Sequence, residues 1–178
     1  MKIFLCGLPN VGKTSCGQSS AQQLGWTFID LDRQVEFIYH TNTNIKKTCR
    51  EIYQRENPST FRKWEYKALT ELKKEDNIII ALGGGTLETL KNRLIIAQLG
   101  YLIYLQSSPQ ILFERIGPEI PSFLDQKNPR DSFLKLAIQR QEIYQHACNC
   151  MIDVESLSVE TITNHIIEKI KGTIKHGK

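Results

Sequence analysis

The sequence lacks any apolar run approaching the roughly 20 residues that cross a bilayer, so a helical membrane protein is not expected. It also lacks internal repeats and low-complexity tracts, which removes solenoids and disordered linkers. Cysteine is sparse and odd in number: 5 residues, Cys6, Cys16, Cys49, Cys148 and Cys150, are scattered without pairing. That argues against a disulfide framework and for a reducing compartment. The lone Cys148-x-Cys150 has no second pair of ligands, and reads as buried small hydrophobes rather than a metal site. No cluster of basic and aromatic residues points to nucleic acid, and no long apolar heptads demand a dimer, so a monomer is expected. The opening Met1–Cys6 is too short for a signal peptide and runs directly into a glycine loop, which suggests a cytoplasmic protein. The net charge of +4 is mild, and the stretch 169–178, with its four lysines, reads as a frayed solvated tail.

What is present fits one domain. The chain has 178 residues, 40% hydrophobic and 24% charged, an ordinary balance for a single buried core. Apolar runs of strand length, at 2–6, 27–30, 77–82, 101–105 and 150–154, alternate with segments of helical period. The helical segments fall near 13–24, 33–39, 45–55, 60–73, 87–99, 110–115, 132–146 and 159–171. This alternation predicts an α/β three-layer sandwich with a five-stranded parallel sheet. Residues 117–130 break the pattern: they lack periodicity and hold Pro118, Pro121 and Pro129, so they read as a lid between two helices.

Gly7-Leu8-Pro9-Asn10-Val11-Gly12-Lys13-Thr14 matches G-x-x-x-x-G-K-[ST] between the first strand and the first helix. In such a loop, glycines turn successive N–H groups inward on phosphates, and the helix N-terminus adds partial positive charge. Asn10, Val11, Gly12, Lys13, Thr14 and Ser15 are therefore the expected ATP-binding residues. Lys13 reaches the β- and γ-phosphates, and the Thr14 hydroxyl holds Mg²⁺. The wording Pro9-Asn10-Val11-Gly12-Lys13 is shared with GTPase families, but D-x-x-G and N-K-x-D, which a GTPase uses to sense γ-phosphate and read guanine, occur nowhere.

The second strand ends in Phe28-Ile29-Asp30-Leu31-Asp32, at the sheet edge where open α/β folds bind ligands. If both carboxylates continue the strand, they face the same way: Asp30 toward Mg²⁺ and Asp32 toward an acceptor hydroxyl. The plainer reading of Asp32 is a helix N-cap. Arg62 and Glu65 share a helix face, an arrangement that holds a guanidinium fork ready for a carboxylate, or else a solvated surface pair. Gly83-Gly84-Gly85 ends a buried strand and lets backbone approach a ligand closely, where one or two glycines would suffice for a tight turn.

Together these residues resemble the shikimate kinases, small P-loop phosphotransferases of aromatic amino-acid synthesis. The resemblance rests on the phosphate loop with Pro9, Phe28-x-Asp30-x-Asp32, Phe61-Arg62 followed by Glu65, Leu82-Gly83-Gly84-Gly85, and Arg140 ahead of Tyr144. It implies a P-loop NTPase architecture of the nucleoside-monophosphate-kinase type, with ATP and Mg²⁺ as cofactors and shikimate as acceptor. It further implies that Asp32, Arg62, Gly83, Gly84, Gly85 and Arg140 line the shikimate site, that the two arginines clamp its carboxylate, and that Arg115 lies near adenine. Lys13 and Asp32 are then the catalytic pair, and Thr14 and Asp30 the metal side.

Two departures stand out. The family's lid reads Arg-Pro-Leu-Leu, whereas this chain has Ile120-Pro121-Ser122-Phe123-Leu124, so the lid arginine is missing and Lys127 or Arg130 is expected to supply its charge. After Arg140 comes Gln141-Glu142-Ile143-Tyr144, in place of the family's Arg-x-Pro-x-Tyr wording. Three readings remain at this level: shikimate kinase, another small-metabolite or nucleotide kinase, and a nucleotide-binding module without turnover.

Overall fold

A computed structural model describes residues 1–117, 120, 121 and 123–176, with side chains through residue 174. The chain runs β1 (Lys2–Cys6), α1 (Lys13–Leu24), β2 (Thr27–Asp30), α2 (Leu31–Thr43), α3 (Cys49–Arg55), α4 (Pro58–Glu71), β3 (Ile78–Ala81), α5 (Leu90–Leu99), β4 (Tyr101–Gln106), α6 (Pro109–Glu114), α7 (Pro129–Ala147), β5 (Cys150–Asp153) and α8 (Val159–His176). The five strands form one parallel sheet in the order β2-β3-β1-β4-β5. Ile3, Phe4, Leu5, Ile78, Ile79, Ile80, Ile103 and Leu105 are fully buried, as befits strands covered on both faces. Helices supply the cover: α1 packs on α8, and α4 lies against α2 and α5.

Parallel register does the positioning. Asp30 pairs with Ala81, Leu5 with Ala81 and Cys6 with Tyr104, so three strands end level with one another. The loops leaving β1, β2 and β3 therefore meet at one edge, the crevice where open α/β sheets hold ligands. Among the described residues, no helix is long and apolar enough to cross a membrane.

All five expected strands form, and several element ends differ for local reasons. Helix α2 starts at Leu31 rather than 33, because the Asp30 carboxylate caps it, accepting from the amides of Asp32 at 3.0 Å and Arg33 at 3.4 Å. Helix α3 starts at Cys49 rather than 45, where Thr48 and Glu51 form a reciprocal capping box. The stretch 87–99 opens as a separate 3-10 turn, Thr86–Glu88, before α5.

Through His176 the expected frayed tail is helical. Helix α8 continues to His176 because Ile166 and Ile170 are fully buried, and that apolar stripe outweighs the charges of Glu168 and Lys169 between them. Cys148 and Cys150 are half-buried rather than buried, while Cys6 and Cys16 are interior. Within the expected lid, Pro118, Glu119 and Ser122 lie outside the described residues. Leu124 is buried, Ile120 packs against the core, and α7 begins at Pro129, shortening the irregular segment.

Candidate active site

The loop after β1 needs its glycines. Gly7 has φ 149°, and a Cβ there would lie 2.5 Å from the Leu105 carbonyl oxygen and 2.9 Å from Val11 Cγ1. Gly12 and Asn10 also take positive φ, 97° and 64°. Gly12 caps α1 without a side chain, and no acidic residue stands in the first turn. The first amides of α1 thus keep their donors and their share of the helix dipole for an anion. The Lys13 ammonium donates to the carbonyls of Gly7 and Leu8, 3.0 Å each, and so arches back over the loop. Burial pushes its pKa down to about 8, with Asp32 and Asp30 among the charges that oppose the fall.

Thr14, exposed at the start of α1, donates its hydroxyl to Asp30 Oδ2 at 3.3 Å. One Asp30 oxygen caps α2 and the other reaches the phosphate loop. Asp32 corrects the sequence argument, because it occupies the first turn of α2 and the two carboxylates do not share a strand face. The cap is Asp30, not Asp32. A Cβ at Gly83 would lie 2.6 Å from Asp32 Oδ1, so the carboxylate rests on the bare backbone after β3. Burial first, and then the neighbouring Asp30 charge, raise the Asp32 pKa to about 6.

Arg62 and Glu65 do not form a solvated surface pair. Glu65 is 1% exposed and Arg62 16%, with Nη1 to Oε2 at 2.8 Å. The Thr86 hydroxyl donates to the other Glu65 oxygen at 2.7 Å, and the Asn92 amide stands at the edge of hydrogen-bond range. Burial raises the Glu65 pKa, opposed chiefly by Arg62. For Arg62, burial works against the charge, but Glu65 and Glu88 outweigh it and hold the guanidinium ionised. Arg140 comes from α7, is 11% exposed, and meets Glu88 through Nη2 at 2.9 Å.

Both guanidiniums press on the glycine turn. A Cβ at Gly84 would lie 3.0 Å from Arg140 Nη1, and one at Gly85 would lie 2.2 Å from Arg62 Nη2 and 3.1 Å from Arg140 Nη2. The Tyr144 hydroxyl donates to the Gly84 carbonyl and ties α7 to the same turn. Phe123 covers the outer side of Arg140, its ring centroid 5.9 Å from Cζ.

The fold thus brings together Lys13, Thr14, Asp30, Asp32, Arg62, Arg140 and the backbone of Gly83, Gly84 and Gly85. Asn10, Val11, Gly12 and Ser15 complete the phosphate loop. Arg115 stands exposed at the C-terminal end of α6, and Lys127 and Arg130 are likewise exposed near the start of α7. Thr86, Glu88 and Asn92 were not anticipated. They approach the arginines and Glu65 only through the turn after β3, and nothing in their spacing marks them.

This geometry has close counterparts. The family model for shikimate kinase matches residues 9–171. A shikimate kinase of Bacillus cereus (strain G9842) is 33% identical over 94% of this chain and 97% of its own length. One from Symbiobacterium thermophilum is 30% identical over 99% of this chain and 100% of its own. Among solved structures, shikimate kinase from Acinetobacter baumannii in complex with shikimate superposes with a TM-score of 0.85 at 25% identity, covering 97% of this chain and 93% of that one. With its phosphate loop, paired arginines and glycine turn at one sheet edge, the chain belongs to the shikimate kinase family.

Proposed function

We propose that this chain transfers the γ-phosphoryl group of ATP to the 3-hydroxyl of shikimate, a step of chorismate and aromatic amino-acid synthesis. The observation that carries the reading is the meeting, at one sheet edge, of an anion-binding loop and two arginines packed on a glycine turn. The loop amides and Lys13 hold the β- and γ-phosphates. Arg62 and Arg140 take the acceptor carboxylate, and Gly83, Gly84 and Gly85 let the ring approach the backbone.

Asp32 receives a hydrogen bond from the attacking hydroxyl and accepts its proton as the new oxygen–phosphorus bond forms and the bond from the γ-phosphorus to the leaving ADP oxygen breaks. A base with a pKa of about 6 is ionised at neutral pH yet still basic enough for that task. Phosphoryl transfer asks mainly for positioning and charge neutralisation, which Lys13 and the amides provide. Arg115 lies beside adenine. The expected lid excludes water from the reacting atoms through its described residues 123–130, with Lys127 or Arg130 bringing the charge that Ile120 lacks.

The residues fit Mg²⁺. The Thr14 hydroxyl and Asp30 carboxylate face each other at 3.3 Å, an all-oxygen pair of the kind this hard cation takes alongside waters and phosphate oxygens. When bound, Mg²⁺ would neutralise phosphate charge, and Thr14 and Asp30 are the residues that would hold it, Thr14 through its hydroxyl and Asp30 through its carboxylate. The chain works as a single-domain monomer in the cytoplasm.

Coupled ADP release with Mg-ATP tests the reading. Shikimate should stimulate release, Asp32→Ala should reduce turnover by roughly 10²-fold or more, and alanine at Lys127 or Arg130 should slow it strongly. Shikimate-independent release, or none with ATP still bound, would instead favour another acceptor or a binding module.

A further inference from the structure

Arg62 and Arg140 are already bridged by a carboxylate of this chain. Glu88 Oε2 lies 2.6 Å from Arg62 Nη2, and Glu88 Oε1 lies 2.9 Å from Arg140 Nη2 and accepts from its Nε at 2.9 Å. One oxygen per guanidinium is the arrangement that an acceptor carboxylate between the two arginines would adopt. The local charge is consequently spent. Arg62 and Arg140 are matched by Glu65 and Glu88, whereas without Glu88 the group would carry one net positive charge toward an anionic ligand.

The two acids differ in how firmly they are held. Glu65 is 1% exposed and fixed by Arg62 and Thr86, so it cannot leave without stranding a buried charge. Glu88 is 37% exposed, at the end of the short 3-10 turn Thr86–Glu88, and its carboxylate can swing into water. We propose that Glu88 is a resident occupant of the acceptor-carboxylate clamp, displaced when substrate binds, and that it thereby sets the affinity for carboxylate-bearing acceptors. The proposal rests on the acceptor reading above and extends it to a residue outside the expected site.

Displacement breaks contacts in the free protein that the ligand carboxylate then replaces. The cost therefore falls on acceptor binding, while the clamp after displacement is the same two arginines. Such a residue acts on KM for the acceptor rather than on kcat or on KM for ATP.

The test compares wild type with Glu88→Gln and Glu88→Ala by steady-state kinetics, with calorimetric titration of shikimate alongside. Both variants should bind shikimate more tightly, with Kd and KM lowered roughly fivefold, the scale of one half-exposed ion pair. The ring triol without its carboxyl group should bind wild type and variants alike. Unchanged or weakened shikimate binding, with shikimate still phosphorylated, overturns the proposal alone, because Glu88 would then be orienting the arginines. Failure of all three proteins to bind shikimate overturns the acceptor reading and the proposal with it.

Discussion

Asp32 is an acid kept where ionisation is expensive. Its pKa rises from 3.8 to about 6 through burial and the nearby Asp30. The native state thus binds a proton more readily than the unfolded chain, and ionisation of the carboxylate subtracts stability progressively as the pH rises from about 4 to about 6, with the full penalty present above about 6. Asp32→Asn should therefore stabilise the protein by about 1–3 kcal/mol at pH 7.5 while abolishing turnover. Thermal unfolding checks this, and the gain should vanish below about pH 4, where aspartic acid is neutral in both states. In wild type, kcat/KM should rise with pH through about 6 as Asp32 ionises, and fall above about 8 as Lys13 loses its charge.

At the scale of elements, the turn between β3 and α5 governs acceptor geometry. The Cβ of an alanine at Gly85 would lie 2.2 Å from Arg62 Nη2 and 3.0 Å from its Cζ, so the guanidinium that is paired with buried Glu65 would have to shift. Gly85→Ala should therefore lower stability by about 1–3 kcal/mol while raising KM for shikimate and sparing KM for ATP. Parallel kinetic and melting measurements separate the two effects. The strands were legible because burial on both faces leaves continuous apolar runs such as Ile78-Ile79-Ile80. The phosphate loop was legible because its chemistry demands fixed residues at fixed spacing. The start of α2 was not, since Asp30 and Asp32 are both plausible caps and only backbone direction chooses between them. Glu88 was invisible for a different reason: its partners lie 26 and 52 residues away in sequence, and a single 3-10 turn has no period to betray which way it faces.

Across the whole molecule, one apolar interior runs from Ile3 in β1 to Ile170 in α8 without a break between halves. Unfolding should accordingly be a single transition, with equal calorimetric and van't Hoff enthalpies in differential scanning calorimetry. Two separate transitions would point to independent units. The nucleotide loop opens α1, which packs against α8, an element that follows every strand in the sequence. During synthesis, α1 emerges early and waits for its cover until every strand has left the ribosome. Nucleotide affinity in a growing chain is therefore expected late, with ATP capture appearing only once α8 has joined α1.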